Sequence, residues 1–181
     1  QLNNKTMKKL IFISLLFSIL SLSVSAQKPT KAEKAAQLEQ EFQQTRQLIE
    51  SNHFQFELNR VYPQDGQDLS RFNPRGKFVI TDSVAKGTLP FFGRAYSLPY
   101  GEGGGIEFDG VMKDQSLKIE HKKKRKILIY RFSITAKNDT YQISMEISGG
   151  GNCSVNLNSN NRAQISYSGT VSPVKDETGK S

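Results

Sequence analysis

The feature that most constrains the fold is a series of short segments in which hydrophobic residues occupy most of the alternate positions. These segments span residues 117–121, 128–134, 141–147, 153–157 and 165–171. Such alternation is typical of β-strands that bury one face. Only short polar turns separate them, among them residues 122–125, 138–139 and 149–151. Short connections between consecutive strands predict an antiparallel meander.

The chain before these segments predicts one α-helix. Thr30 and Glu33 have the spacing of a capping box, in which each side chain accepts a hydrogen bond from the other residue's backbone amide. A stripe at three- and four-residue spacing then predicts a helix over residues 31–51. The stripe consists of Ala35, Leu38, Phe42, Thr45 and Ile49. Asn52 suits the left-handed position that ends such a helix.

After the helix the period of the pattern changes to two. Residues 54–58 alternate apolar and polar side chains and predict a strand, and Phe78 and Ile80, continued by Asp82 and Val84, predict the next. With about eight strands in total, closure into a barrel would remove the exposed edges. The predicted fold is mainly β: an antiparallel up-and-down β-barrel with one N-terminal helix over residues 27–172, followed by a loose tail over residues 173–181.

One segment, residues 89–110, combines chain-breaking residues with many aromatic rings. Pro90 and Pro99 interrupt any regular strand ladder, and several glycines permit turns or bulges. The aromatic residues of the segment are Phe91, Phe92, Tyr96, Tyr100 and Phe108. We expect two short strands, near residues 87–89 and 105–108, with an ordered aromatic loop between them. The rings could fill the core or line the mouth of a pocket.

Residues 7–26 have the pattern of an export signal. Met7 is followed by two lysines, an apolar run interrupted only by serines, and small residues up to Ala26. The run is shorter than the roughly 20 residues that a membrane-spanning helix needs. We interpret residues 1–26 as upstream residues and a cleavable signal peptide, and Gln27 as the first residue of a periplasmic or secreted protein without a membrane span. An uncleaved N-terminal anchor is the alternative.

Charge and cysteine content argue against two classes of protein. Residues 1–26 carry three lysines, so their removal lowers the formal net charge from +8 to +5. This surplus is modest for a nucleic-acid-binding protein, and an exported protein rarely meets nucleic acid. Cys153 is the single cysteine, which excludes an internal disulfide. We expect it to be a small buried residue in a strand.

The aromatic segment and the later strands resemble the bacterial exported proteins of domain-of-unknown-function family 4251 (DUF4251). The resemblance covers residues 42–171 and depends on four stretches: residues 89–95, Pro99-Tyr100, residues 106–110 and residues 165–169. It implies an antiparallel β-barrel of lipocalin-like topology in a secreted or periplasmic protein. It implies no activity and provides no catalytic residues.

The residues themselves do not form a recognisable catalytic, metal or cofactor motif. His53 and His121 are the two histidines, and each is expected to lie at the surface. Neither belongs to a zinc-ligand spacing, and the aspartates do not form a calcium loop. No lysine or helix start follows the glycines at residues 103–105, which argues against a phosphate loop. The basic residues 122–126 are expected to be a solvated hairpin tip, with binding to anionic lipids or polysaccharides as the minority interpretation.

Three hypotheses of function remain open. The first is a non-enzymatic binding module whose aromatic-lined mouth holds a small apolar or glycan-like ligand; Phe91, Phe92, Tyr96 and Tyr100 would contact it, with Arg94 as a polar anchor. The second is a small cell-envelope hydrolase that uses Arg94, Glu102, Glu107 or His121. The third is an envelope protein-interaction module, which a contiguous exposed apolar patch would favour.

Overall fold

The computed structural model describes residues 30–64, 69, 73–96, 104–122, 125–136 and 139–175. The chain divides into a unit ending at Lys34, of which residues 30–34 are described, and a unit from Ala35 to Ser181. The predicted signal peptide lies outside the described residues, as does the tail beyond residue 175. None of the described helices is long and apolar enough to cross a membrane.

Helix α1 (Lys31–Glu50) begins at the predicted capping box. The Thr30 amide donates to Glu33 Oε2 at 2.7 Å, and the Glu33 amide donates to Thr30 Oγ1 at 3.2 Å. Asn52 follows the helix with φ 49°, as the sequence predicts. These two signals at the helix ends are local, which explains why the sequence reveals them.

In the described part of the chain, eight strands follow α1, and each pairs antiparallel with the next. They are β1 (His53–Pro63), β2 (Lys77–Thr81), β3 (Val84–Leu89), β4 (Ile106–Lys122), β5 (Arg125–Thr135), β6 (Thr140–Ser148), β7 (Asn152–Ser159) and β8 (Ile165–Pro173). β8 pairs with β1, so the sheet closes into an up-and-down barrel. The predicted fold class is therefore confirmed.

Two strand predictions were wrong in detail. Asp82 does not continue a strand from Ile80; it has φ 55° in the turn between β2 and β3, which form a hairpin. The segments predicted near residues 105–108 and 117–121 belong to one strand, β4, which contains a bulge between Lys113 and Ser116. Asp114 has φ 53° within that bulge.

The interior of the barrel is filled by the inward-facing side chains of its strands. Phe56 stacks on Phe78 with ring centroids 5.1 Å apart, and Phe108 lies 5.9 Å from Phe78 and 6.2 Å from Tyr141. Inward residues without exposed surface include Phe54, Phe56, Phe78, Ile80, Leu128, Ile134, Met145, Ile147, Val155 and Leu157. Phe108 is only 3% exposed and contacts the rings of Phe78 and Tyr141, so it belongs to the core.

Helix α1 packs against the end of the barrel where β5 begins and β6 ends. Phe42, Thr45 and Ile49 are buried. Lys126 Nζ lies 5.6 Å from the centroid of the Phe42 ring and 2.9 Å from the Glu39 carboxylate oxygens. The predicted stripe extends too far towards the N-terminus, because Leu38 is 63% exposed. We call this the helix end of the barrel.

Candidate functional site

At the opposite end of the barrel, a short extended segment after β3 crosses the rim. We define Pro90–Tyr96 as the strap. Its first residues are held by the core, because the buried Tyr167 hydroxyl donates to the carbonyl oxygen of Pro90 at 2.9 Å and the half-buried Phe91 packs on the core. Burial raises the pKa of Tyr167 above its ordinary value, so its hydroxyl remains a donor at neutral pH.

The second half of the strap is joined to the connection between β7 and β8. Ala95 forms an antiparallel bridge with Arg162. Two backbone hydrogen bonds flank this bridge: Ala163 N to Arg94 O at 2.9 Å and Tyr96 N to Asn161 O at 2.8 Å. The predicted ordered loop is thus confirmed for the strap, and residues 97–103 lie outside the described residues.

The strap residues that the sequence proposed for a binding site differ in their exposure to solvent. Phe91 is half-buried against the core, whereas Phe92 is 38% and Tyr96 64% exposed. Arg94 is also exposed. Tyr100 lies outside the described residues. The structure therefore brings together Arg94 and Tyr96, and it places Phe91 in a supporting position.

Arg94 and Tyr96 line a cleft of about 550 Å³, which we call the rim cleft. Its other lining residues are Pro63, Gln64, Gly93 and Ala163. This volume falls within the range of small-molecule sites. An exposed tyrosine ring can stack on an apolar or sugar-ring face, and a guanidinium can bind carboxylate or hydroxyl oxygens. The cleft therefore combines the two contacts that the sequence predicted for a ligand.

Below the strap lies a charged residue that the sequence analysis missed. Arg162 is only 5% exposed, its Nη1 is 3.5 Å from the carbonyl oxygen of Gly104, and its guanidinium lies 5.1 Å from the centroid of the Phe91 ring. Its Nε atom is buried and has no hydrogen-bond partner. A single arginine beside the polar turn at residues 158–161 resembles a solvated side chain, and no local signal distinguishes it.

The catalytic groups proposed for a hydrolase do not meet in the described structure. His121 lies near the helix end of β4, whereas Glu107 lies near the rim end; both are exposed, and Glu102 lies outside the described residues. Cys153 is buried, and burial raises the pKa of its thiol, so it is a poor nucleophile. Within the described ranges, His, Cys, Asp and Glu residues form no group of three that could hold a metal ion.

Exposed apolar side chains are relevant to the third hypothesis, a protein-interaction module. Among the described residues, the large ones are Leu38, Val84, Phe92, Tyr96, Val111 and Ile119. They are spread over α1, β3, β4 and the strap. The described residues also line a groove of about 210 Å³ beside the Lys122–Glu146 ion pair. Its described lining includes neither an aromatic ring nor a guanidinium, unlike that of the rim cleft.

Comparison with known proteins places the barrel in a family. The model of a family described as "Domain of unknown function (DUF4251)" matches residues 36–171. No curated protein matches the chain. A similar solved structure is the crystal structure of a DUF4251 family protein from Bacteroides eggerthii DSM 20697 at 1.95 Å resolution. It has 22% sequence identity and a TM-score of 0.54, and the match covers 77% of this chain and 91% of that one. At this identity the likeness concerns the fold.

Proposed function

The chain belongs to the DUF4251 family, and we propose that it is an exported, non-enzymatic binding protein that holds a small glycan-like ligand in the rim cleft. The observation that carries this proposal is the pairing of Arg94 and Tyr96 on a strap whose backbone is fixed on the β7–β8 side. Export is supported by the signal pattern of residues 7–26.

Because the interior is packed, a ligand site at the rim is favoured over one inside the barrel. A lipocalin-like protein with an internal site needs an empty cavity, but the inward side chains of the described strands have little or no exposed surface. A ligand could enter there only by displacing packed aromatic rings such as Phe56 and Phe78. The rim cleft requires no such displacement.

A glycan-like ligand fits the rim cleft better than a purely apolar one. Tyr96 is 64% exposed, and an exposed tyrosine ring can stack on the C–H face of a sugar. Arg94 offers several hydrogen-bond donors to hydroxyl or carboxylate oxygens. A purely apolar ligand would form no hydrogen bonds with these donors.

The first experiment is mass spectrometry of the protein purified from cells that express the full chain. Intact mass should show a chain beginning at Gln27, and native mass spectrometry should show a retained small molecule. A chain that keeps residues 7–26 would contradict cleavage of the predicted signal peptide. Binding is then measured by titrating the purified protein with neutral and acidic oligosaccharides and following backbone amide shifts by NMR.

Matched variants on the strap test the location of the site. Tyr96→Ala should weaken binding by about tenfold, because the stacking surface is lost. Phe92→Ala removes an exposed ring from the same strap that does not line the rim cleft, so it should leave the affinity unchanged. The proposal is wrong if no saccharide shifts the strap amides, or if both variants weaken binding equally.

A further inference from the structure

The buried guanidinium of Arg162 lacks the partners that such a group ordinarily has. Its Nε–H has no acceptor, and its Nη1 contact to Gly104 is at the outer limit of a hydrogen bond, 3.5 Å. An arginine keeps its positive charge in proteins, so burial cannot be relieved by loss of a proton. Within the described ranges, no carboxylate forms an ion pair with it.

The surroundings of Arg162 only partly offset the cost of burying its charge. The Phe91 ring provides a cation–π contact with a centroid distance of 5.1 Å. The charge also acts on the Tyr167 phenol: burial raises the pKa of that group and the Arg162 charge opposes the increase. Removing a charge from water costs several kcal/mol unless an opposite charge or several hydrogen bonds compensate it.

One edge of the guanidinium therefore has two N–H donors that lack a partner among the described residues. Nε has no partner, and no hydrogen bond of Nη2 is seen among the described residues. Two parallel N–H donors on one edge match the two oxygens of a carboxylate or phosphate group. We propose that Arg162 forms a binding site for a small oxyanion beneath the strap.

This oxyanion site is separate from the rim cleft and goes beyond the proposed function. Residues opposed across an antiparallel bridge share one face, and their neighbours point to the other. Arg162 and its partner Ala95 thus occupy the face of the strap opposite Arg94 and Tyr96. Burial agrees with this division, since Arg162 is buried and the other two side chains are exposed.

The test is the thermal stability of the full chain in inorganic phosphate, acetate and sulfate, each compared with sodium chloride at equal ionic strength. An oxyanion that binds only the folded state raises the melting temperature in a saturable way. At 100 times the dissociation constant the rise should be about 5–10 °C. The ranking of the three anions identifies whether a carboxylate or a tetrahedral oxyanion is preferred.

The variant Arg162→Met removes the donors and keeps most of the side-chain volume. It should fold and abolish the anion-specific rise, whereas Arg131→Met, which removes an exposed arginine on β5, should retain it. If Arg162→Met does not fold, Arg162→Lys takes its place, because a lysine keeps the charge but not the two-donor edge. A rise that is absent in the wild type, or equal in the wild type and Arg162 variants, overturns the proposal.

Discussion

Gly169 on β8 is the position where one added methyl group should destabilise the barrel most clearly. It lies opposite Leu58 on β1, at the seam where the sheet closes. A Cβ atom there would lie 2.0 Å from the carbonyl oxygen of Glu57 and 2.7 Å from the Phe56 ring. Neither neighbour can move easily, because the oxygen belongs to the backbone of β1 and the ring is fully buried against Phe78.

The expected loss of stability follows from these two collisions. Overpacking a well-packed interior costs about 1–3 kcal/mol. Gly169→Ala should fall at the upper end, about 3 kcal/mol, because it disturbs both a strand backbone and a stacked ring. For a chain of this size each kcal/mol lowers the melting temperature by about 2–4 °C, so we expect a decrease of about 6–12 °C.

Urea unfolding followed by circular dichroism measures this difference. Gly110→Ala is the matched control, because Gly110 also lies in a strand but its added Cβ would meet the Thr135 oxygen at 3.5 Å, an ordinary contact. Its free energy of unfolding should change by no more than about 0.5 kcal/mol. Equal effects of the two substitutions would refute the explanation by packing at the seam.

Three further predictions concern buried side chains. Tyr167→Phe removes the hydroxyl that donates to Pro90 and should lower the free energy of unfolding by about 1–2 kcal/mol, whereas Tyr96→Phe at the surface should have no measurable effect in the same urea assay. Cys153 should react with a thiol reagent only as fast as the protein opens, and labelling faster than hydrogen exchange of its neighbours would contradict this. Burial raises the pKa of Tyr130 to about 12, above its ordinary value of 10.0, so between these values the folded state holds a proton that the unfolded chain loses. The free energy of unfolding should therefore fall as pH rises from about 10 to 12, and the slope should be shallower in Tyr130→Phe.

The barrel could be predicted because its determinants are local and periodic. Alternation of buried and less buried side chains marks β6 to β8 directly, and it marks β5 after residues 127–130, which are all buried. Short turns leave antiparallel neighbours as the simplest arrangement. Closure follows from strand number, since pairing β8 with β1 leaves no edge. The capping box at Thr30 likewise needs only residues three positions apart.

The long strand β4 could not be read in the same way, because a bulge changes its phase. Met112 faces the interior opposite Ile134, and Leu117 does so opposite Tyr130. Met112 and Leu117 are five residues apart, whereas inward-facing residues of a regular strand are separated by an even number. The extra residue at Asp114 absorbs the shift, whereas in the sequence it resembles a break between two strands.

The exposed face of the strap could not be predicted either. Which of its side chains are exposed depends on the bridge between Ala95 and Arg162, two residues far apart in the sequence. From the sequence, the aromatic rings of the segment could lie either in the core or in a pocket. In the structure Phe91 packs at the edge of the core and Tyr96 is exposed at the surface. No local sequence pattern distinguishes the two rings.

The strap is held by backbone hydrogen bonds, so its exposed side chains could change without destabilising the fold. Its hydrogen bonds to the β7–β8 connection use backbone atoms of Arg94 and Tyr96, so substitution of either exposed side chain leaves those bonds in place. The barrel, by contrast, depends on interior rings and on Gly169, where even one methyl group collides with the backbone. In the proposed function, stability and ligand choice therefore depend on different atoms. In the proposed function, related chains could keep the barrel and change ligand through the two exposed positions of the strap, because a surface substitution there costs little stability.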